Sequence, residues 1–255
     1  MTDMTGKVAV ITGGTSGIGL ATALQFAANG AQVAIAGRNI ERGEAALAQL
    51  KDTGADAIFV PTDVSKASDV ENLINTVIST FGHLDYAFNN AAAPPATSSM
   101  GPIINLTEEQ WDTTLDVNLK GVWLCMKYQI PVMMGNGGGV IINTSSTAGG
   151  KAMAGMGAYV ASKHGLNGLT KSAALEYAEA GIRINVVMPG PIATPMMEQA
   201  SAVIPNAEAA FAAQTAVKRV GRAEEIAEAV VWLCSDAASY ITGAAIPVDG
   251  GMLEL

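Results

Sequence analysis

Apolar positions along the chain follow two rhythms that alternate from the start. Val8, Ala9, Val10 and Ile11 form a short apolar run that ends in a glycine-rich turn, as expected of a strand buried on both faces. Residues 17–29 then read as a helix, with Gly30 as its stop. Further strands are predicted at 32–36, 57–60, 86–88, 140–143, 184–187 and 245–248. Helices are predicted between them, at 41–50, 68–81, 107–133, 158–180 and 223–234. The clearest helical face joins Val70, Leu73, Ile74, Val77, Ile78 and Phe81, which recur at three- and four-residue steps. Ser68 with Glu71, and Thr107 with Gln110, have the spacing of capping boxes. Seven strands alternating with helices imply an α/β chain with a parallel sheet covered on both faces. Right-handed crossovers then put the ligand crevice at the carboxyl ends of the strands. No linker or repeat interrupts the pattern, so residues 1–255 read as a single domain.

Composition narrows the function classes. Apolar residues make up 49% of the 255 positions and charged ones 15%, ample for a buried core. The formal charge of −9 repels phosphate backbones, which argues against nucleic-acid binding but leaves room for a local basic pocket. Cys125 and Cys234 lie far apart without metal-ligand spacing, and both sit in apolar helical contexts where a buried thiol is expected. His83 follows a helix end and His164 should point away from its neighbour Lys163; neither has partners at ligand spacing, and no metal site is expected. No signal-like or membrane-spanning apolar run is seen, so a cytoplasmic location with no membrane partner is the expectation.

The turn after the first strand reads Thr12-Gly13-Gly14-Thr15-Ser16-Gly17-Ile18-Gly19. Glycine lets backbone approach a phosphate, and the helix N-terminus behind it offers unpaired N–H groups to a pyrophosphate. A turn that merely packs is the alternative. The second strand ends in Gly37-Arg38, where a dinucleotide fold with an acid would accept the ribose 2′-hydroxyl. Gly37 brings no acid, and the Arg38 guanidinium suits a 2′-phosphate, which favours NADP(H) and leaves NAD(H) open. Arg38 stacked on adenine or turned to solvent is the competing reading.

Tyr159 and Lys163 stand four apart in a predicted helix and therefore on one face. A free phenol titrates near 10, and a neighbouring ammonium should lower it toward useful acid–base chemistry. Such a pair also arises by chance. Ser146, thirteen residues before Tyr159, lies at the end of the fifth strand beside the expected crevice, with Ser145 as its rival. Asn118 is a polar residue between Val117 and Leu119 inside the long helix.

Together the T-G-x-x-x-G-x-G turn and the ordered set Asn118, Ser146, Tyr159 and Lys163 resemble the short-chain dehydrogenase/reductase family over nearly the whole chain. The resemblance implies a doubly wound Rossmann fold with a seven-stranded parallel sheet. It also implies hydride transfer between NADP(H) and an alcohol or ketone, with no metal. Tyr159 would be the general acid/base, Ser146 would hold the substrate oxygen, and Asn118 would support a water-mediated path to Lys163. Cofactor contacts would come from Gly13, Thr15, Ser16, Gly17, Ile18, Gly19, Arg38, Asp63, Val64, Tyr159 and Lys163. Asn90 and Ala91 belong to a segment similar to the family's N-N-A-G, with Ala92 in place of glycine, and Asp63 could instead cap a surface turn. Pro189, Gly190, Ile192 and Thr194 resemble the segment that holds the nicotinamide carboxamide, and 190–217 the substrate lid. Val248-Asp249-Gly250-Gly251 resembles the family's ending near a tetramer interface, so a homotetramer is implied.

The enoyl-reductase branch spaces its lysine farther from the tyrosine, where this chain has Leu166. Substrate contacts are expected from 94–103, 149–156 and 191–217, with Met153, Met156, Met196 and Met197 as a candidate apolar wall for a hydrophobic or mildly polar carbonyl. Competing readings are an NAD-dependent dehydrogenase of a secondary alcohol or sugar, a non-catalytic NADP(H)-sensing regulator, and an isomerase or dehalogenase on the same scaffold.

Overall fold

The structure is a computed structural model, and it describes residues 3–93, 100–201 and 206–255. Strands β1 (Val8–Thr12), β2 (Gln32–Gly37), β3 (Ala57–Pro61), β4 (Tyr86–Asn89), β5 (Gly139–Thr144) and β6 (Ile182–Pro189) appear in chain order, followed by β7 (Ile192–Ala193), β8 (Gly221–Arg222) and β9 (Ala245–Val248). Helices α1 (Gly17–Ala28), α2 (Ile40–Asp52), α3 (Ala67–Phe81), α4 (Glu108–Leu115), α5 (Gly121–Gly135), α6 (Gly157–Tyr177), α7 (Pro195–Ser201), α8 (Ala207–Ala213) and α9 (Ala223–Cys234) lie between them. Seven strands form one parallel sheet in the order β3-β2-β1-β4-β5-β6-β9. A β7–β8 pair beside it was not foreseen; at two residues per strand it is too short for any periodicity to register.

Alternate residues of β1 point to opposite faces and both faces are apolar. Ala9 and Ile11 join Phe26, Leu50 and Val230 beneath α1, α2 and α9; Val8 and Val10 join Leu73, Val77, Met133 and Leu166 beneath α3, α5 and α6. Strand order reverses between β1 and β4, and such a switch point opens a crevice at the carboxyl ends. Thr12 pairs there in register with Ala36 and Asn89, and Asn89 with Asn143.

Three helix expectations need correction. Ser68 and Glu71 form no capping box: α3 begins at Ala67 after Lys66, which makes no side-chain cap bond, and Ser68 Oγ donates to Asp69 Oδ1 at 3.3 Å. The helix starts a residue earlier because Asp69 turns back to accept from Asp63 N at 3.1 Å. The box at Thr107 and Gln110 is present, but the helix it opens is not continuous. A π-helical turn, Asp116–Lys120, separates α4 from α5, and Asn118 is buried in it. Such turns insert one residue into the helical ladder and recur at functional sites. The predicted 158–180 helix gives way after Tyr177 to a 3₁₀ turn, Ala178–Ala180. Cys125 and Cys234 are buried free thiols, and burial pushes each up to about 12. His83 lies between the carbonyls of Phe81 and Gly6, 3.2 Å from each, while exposed His164 turns to Val160 O at 3.0 Å.

Polar side chains cross the core between β4, β5, α5 and α6. Asn89 Nδ2 donates to Gln129 Oε1 and Asn143 Oδ1, both at 3.0 Å, and Gln129 Nε2 donates back to Asn89 Oδ1 at 2.8 Å. Asn143 Nδ2 continues to Thr170 Oγ1 at 2.9 Å. All four residues are buried, and Asn89 precedes the Asn90 that meets the glycine turn. A hydrogen bond in such a chain contributes little net, but a stranded buried partner costs about 1–3 kcal/mol. Gln129→Leu, which keeps the volume and strands Asn89 Oδ1, is expected to lower stability by about that amount in urea unfolding. An unchanged or raised midpoint would show that the network does not bear on stability.

Candidate active site

The turn between β1 and α1 is built by close approach. Gly13 has φ 66°, and a Cβ there would lie 2.9 Å from Ala91 Cα. A Cβ on Gly19 would strike Gly13 O, so this first turn of α1 tolerates no side chain at that position. Thr12 Oγ1 accepts from Asn90 N at 3.1 Å and Ala91 N at 3.2 Å, and Asn90 Nδ2 donates to Thr12 O and Gly13 O, both at 3.3 Å. These bonds fasten the end of β4 to the turn. Ser16 makes no side-chain cap bond and the first turn of α1 holds no acid, so its positive end faces the crevice.

That crevice is a cavity of about 940 Å³ along the carboxyl edge of the sheet. It is lined by Gly13, Thr15, Ser16, Gly17, Ile18, Arg38, Asp63, Val64, Asn90, Ala91, Ser146, Tyr159, Lys163, Pro189, Gly190, Ile192 and Thr194. The structure thus gathers seventeen of the nineteen site residues expected from sequence. The two others stand behind the wall: Gly19 under the turn, and Asn118 in the π-helical turn.

At the end of β2, a Cβ on Gly37 would lie 2.8 Å from Thr15 Cγ2, so the place where an acid would stand is closed by the glycine turn itself. Arg38 is exposed beside the cavity, and Arg42, one helical turn further on, lines it as well. Sequence reading passed over Arg42, although its i+4 spacing from Arg38 was the available signal. Asn39 Oδ1 accepts from Arg42 N at 2.7 Å and caps α2. Burial works to raise the Asp63 carboxyl, but Ser65 hydrogen bonds and the charges of Arg38 and Lys66 outweigh it and hold it below the usual range. Asp63 Oδ1 accepts from Ser65 N at 3.1 Å and Ser65 Oγ at 2.7 Å, so the turn-capping reading also holds.

The catalytic candidates meet at the β5 end of the cavity. Lys163 is 2% exposed, and its Nζ donates to Thr144 O at 2.8 Å and stands 5.6 Å from the centre of the Tyr159 ring. Burial lowers the Lys163 ammonium to about 8. The Tyr159 phenol moves the opposite way from the sequence expectation: burial of its hydroxyl raises it, and a hydrogen bond from Ser146 only partly opposes that. The reason is physical. Neighbouring cation and phenol are desolvated together, and the ammonium proton is directed at the Thr144 carbonyl. Ser146 Oγ also accepts from Ala148 N at 3.1 Å. Ser145 is buried and donates to Lys163 O at 3.2 Å, so of the two serines it is Ser146 that reaches the phenol.

Asn118 is fully buried; its Oδ1 accepts from Ala93 N at 2.8 Å and its Nδ2 donates to Ala93 O at 3.1 Å. Its amide is therefore engaged in holding the chain after β4. Met196 and Met197 line the cavity with Phe211, which sequence reading missed; Met153 and Met156 do not. None of residues 149–156 lines it, and 94–99 of the first expected contact region and 202–205 of the last lie outside the described residues. Thr144 Oγ1 is buried at the cavity and has no hydrogen-bond partner among the described residues. This orphaned hydroxyl, the glycine cradle at a helix N-terminus and the flanking arginines fit a nicotinamide dinucleotide.

Comparison with known proteins agrees with this architecture. Residues 13–253 match the family model described as enoyl-(acyl carrier protein) reductase. A short chain dehydrogenase/reductase, astE, from Aspergillus oryzae is 43% identical over 97% of this chain and 95% of its own length. A 2,5-dichloro-2,5-cyclohexadiene-1,4-diol dehydrogenase from Sphingobium indicum is 41% identical over the full length of both chains. The crystal structure of a levodione reductase superposes with a TM-score of 0.92 at 36% identity, covering 98% of this chain and 99% of its own. The chain belongs to the short-chain dehydrogenase/reductase family, and is an oxidoreductase that acts on alcohol- or ketone-type substrates.

Proposed function

We propose that the protein is an NADP(H)-preferring carbonyl reductase or alcohol dehydrogenase in which Tyr159 exchanges the proton. The observation that carries this reading is that Ser146, Tyr159 and Lys163 line the same cavity as the glycine cradle, with Lys163 Nζ 5.6 Å from the centre of the Tyr159 ring. Gly13, Thr15, Ser16, Gly17 and Ile18 would hold the pyrophosphate side, Asp63, Val64, Asn90 and Ala91 the adenosine side, and Pro189, Gly190, Ile192 and Thr194 the nicotinamide. Bound there, NADP(H) supplies or takes up the hydride. Tyr159, kept protonated by burial, gives its proton to the carbonyl oxygen in reduction. Ser146 holds that oxygen as charge develops, and Lys163 binds the nicotinamide ribose. In oxidation the same groups would act in the reverse sense, Tyr159 taking the proton from the alcohol.

Preference for the 2′-phosphate is supported by Arg38 and Arg42 at the cavity and by the closed acid position at Gly37. Met196, Met197 and Phe211 support a small apolar substrate, consistent with a relative named for a six-membered-ring diol. The described parts of 190–217 would form the lid over it in this reading. Exposed Trp111, Trp123 and Leu175 on α4, α5 and α6 support self-association into a tetramer.

Tyr159→Phe is expected to keep binding of reduced cofactor, read by nicotinamide fluorescence, and to lose turnover by about 10²–10⁴-fold. Turnover within a few-fold of the parent would remove Tyr159 from the chemistry. Arg38→Ala should raise KM for NADPH by about 10–100-fold, the scale of one charge-assisted hydrogen bond, while KM for NADH changes little. Equal changes with both cofactors would refute the 2′-phosphate role. Finally, kcat/KM for reduction should fall as pH rises through about 8, where Lys163 gives up its proton. A profile flat from pH 6.5 to 9.5 would contradict that assignment.

A further inference from the structure

After β9 the chain makes a tight turn, 249–253, folded around one carboxylate. Asp249 Oδ1 accepts from Gly251 N at 2.9 Å and its Oδ2 from Leu253 N at 2.8 Å. Gly250 and Gly251 both take left-handed φ, 62° and 78°, which lets the backbone double back within hydrogen-bonding reach of that side chain. The folded turn touches three separate pieces of the chain. Gly190, at the exit of β6, donates to Val248 O at 3.2 Å, and a Cβ on it would lie 2.8 Å from Asp249 Cα. Gly250 O accepts from Ala216 N at 2.8 Å and Val217 N at 3.2 Å, at the far end of 190–217. Lys151 Nζ donates to Met252 O at 2.9 Å, and Leu253 Cδ1 would be 3.0 Å from a Cβ on Gly150.

These three pieces are the two ends of the 190–217 segment and the stretch that follows Ser146. Ser146 opens the 3₁₀ turn Thr147–Gly149, and Asn167 Nδ2 on α6 donates to Gly149 O at 3.0 Å. Loop side chains keep their aim only when the backbone beneath them is fixed at several points, and a shift of about 1 Å at reacting groups costs on the order of 10² in rate. We propose that Asp249 and Lys151 are positioning residues: the C-terminal turn is a clasp that sets the Ser146 loop and the two ends of the 190–217 segment, at Gly190 and at Ala216–Val217, in one relative geometry around the substrate. Neither side chain is among those lining the cavity, so each acts through the backbone it holds. The idea rests on the proposed reaction for its effect on rate, but not for its effect on the lid.

The test compares Lys151→Met, Lys151→Arg and Asp249→Asn with the parent, in steady-state reduction and in amide hydrogen exchange. Lys151→Met is expected to lower kcat by about 5–50-fold with KM for NADPH unchanged, and to speed exchange at Ala216 and Val217. Lys151→Arg, which still donates to Met252 O, should return both readouts to within twofold of the parent. Asp249→Asn, unable to accept both amides with full charge, should show the same pattern as Lys151→Met. Unchanged kcat and unchanged exchange in Lys151→Met overturn the clasp. So does loss of fold in Lys151→Met, which would make the contact a stability element. If the parent turns over no carbonyl, the proposed function fails, and the exchange readout alone then decides the clasp.

Discussion

A lysine enclosed in protein, with no carboxylate paired to it among the described residues, is held by its hydrogen bonds, and the site depends on one such bond. Lys163 Nζ reaches Thr144 O at the last residue of β5, tying α6 to the central sheet at the place where Tyr159, one turn earlier, faces the cavity. Ser145 Oγ makes the reciprocal tie from the strand end to Lys163 O. Two bonds running in opposite senses between the same helix and strand fix rotation as well as distance. The strand end that leads into Ser146 is thereby fixed against the helix that carries Tyr159. Desolvation of the lysine is the cost of this arrangement, visible in its lowered pKa.

The doubly wound sheet was legible because each strand is a short apolar run and each helix has its own period, and tertiary packing reinforces both. Val8 to Ile11 and the Val70–Phe81 face needed no context to be assigned. Site residues were legible for a different reason: Gly13, Tyr159 and Lys163 are close in sequence to the elements that aim them. What escaped notice required knowing what lies across the fold. The π-helical turn at Asn118 exists because the side chain is drawn to Ala93, a residue 25 positions earlier, and no local pattern records that attraction. Ser68 has the spacing of a cap, but the Asp63–Asp69 bond decides where α3 begins. The direction of the Tyr159 shift was misread because spacing reveals a neighbouring cation and conceals the burial of both partners. Arg42 and Phe211 enter the cavity from elements whose orientation the sequence leaves open.

The cofactor end and the chemical end of the cavity are built by different means. Around Arg38 and Arg42 the groups are exposed and carried on long side chains, so selectivity there comes from charge and changes by substitution. Around Ser146, Tyr159 and Lys163 the groups are enclosed, and their aim is set by backbone several residues away. Evolution can retune the first without disturbing the second, which accords with relatives of one architecture bearing different substrate names.

The two thiols carry a practical consequence. Cys125 and Cys234 are sealed in the core with their ionisation suppressed, and maleimides react with thiolates. A single cysteine introduced on the outer face of α8 would therefore take up a fluorophore against a silent background. The native chain is, in effect, a ready-made cysteine-free host for distance measurements across the cavity mouth.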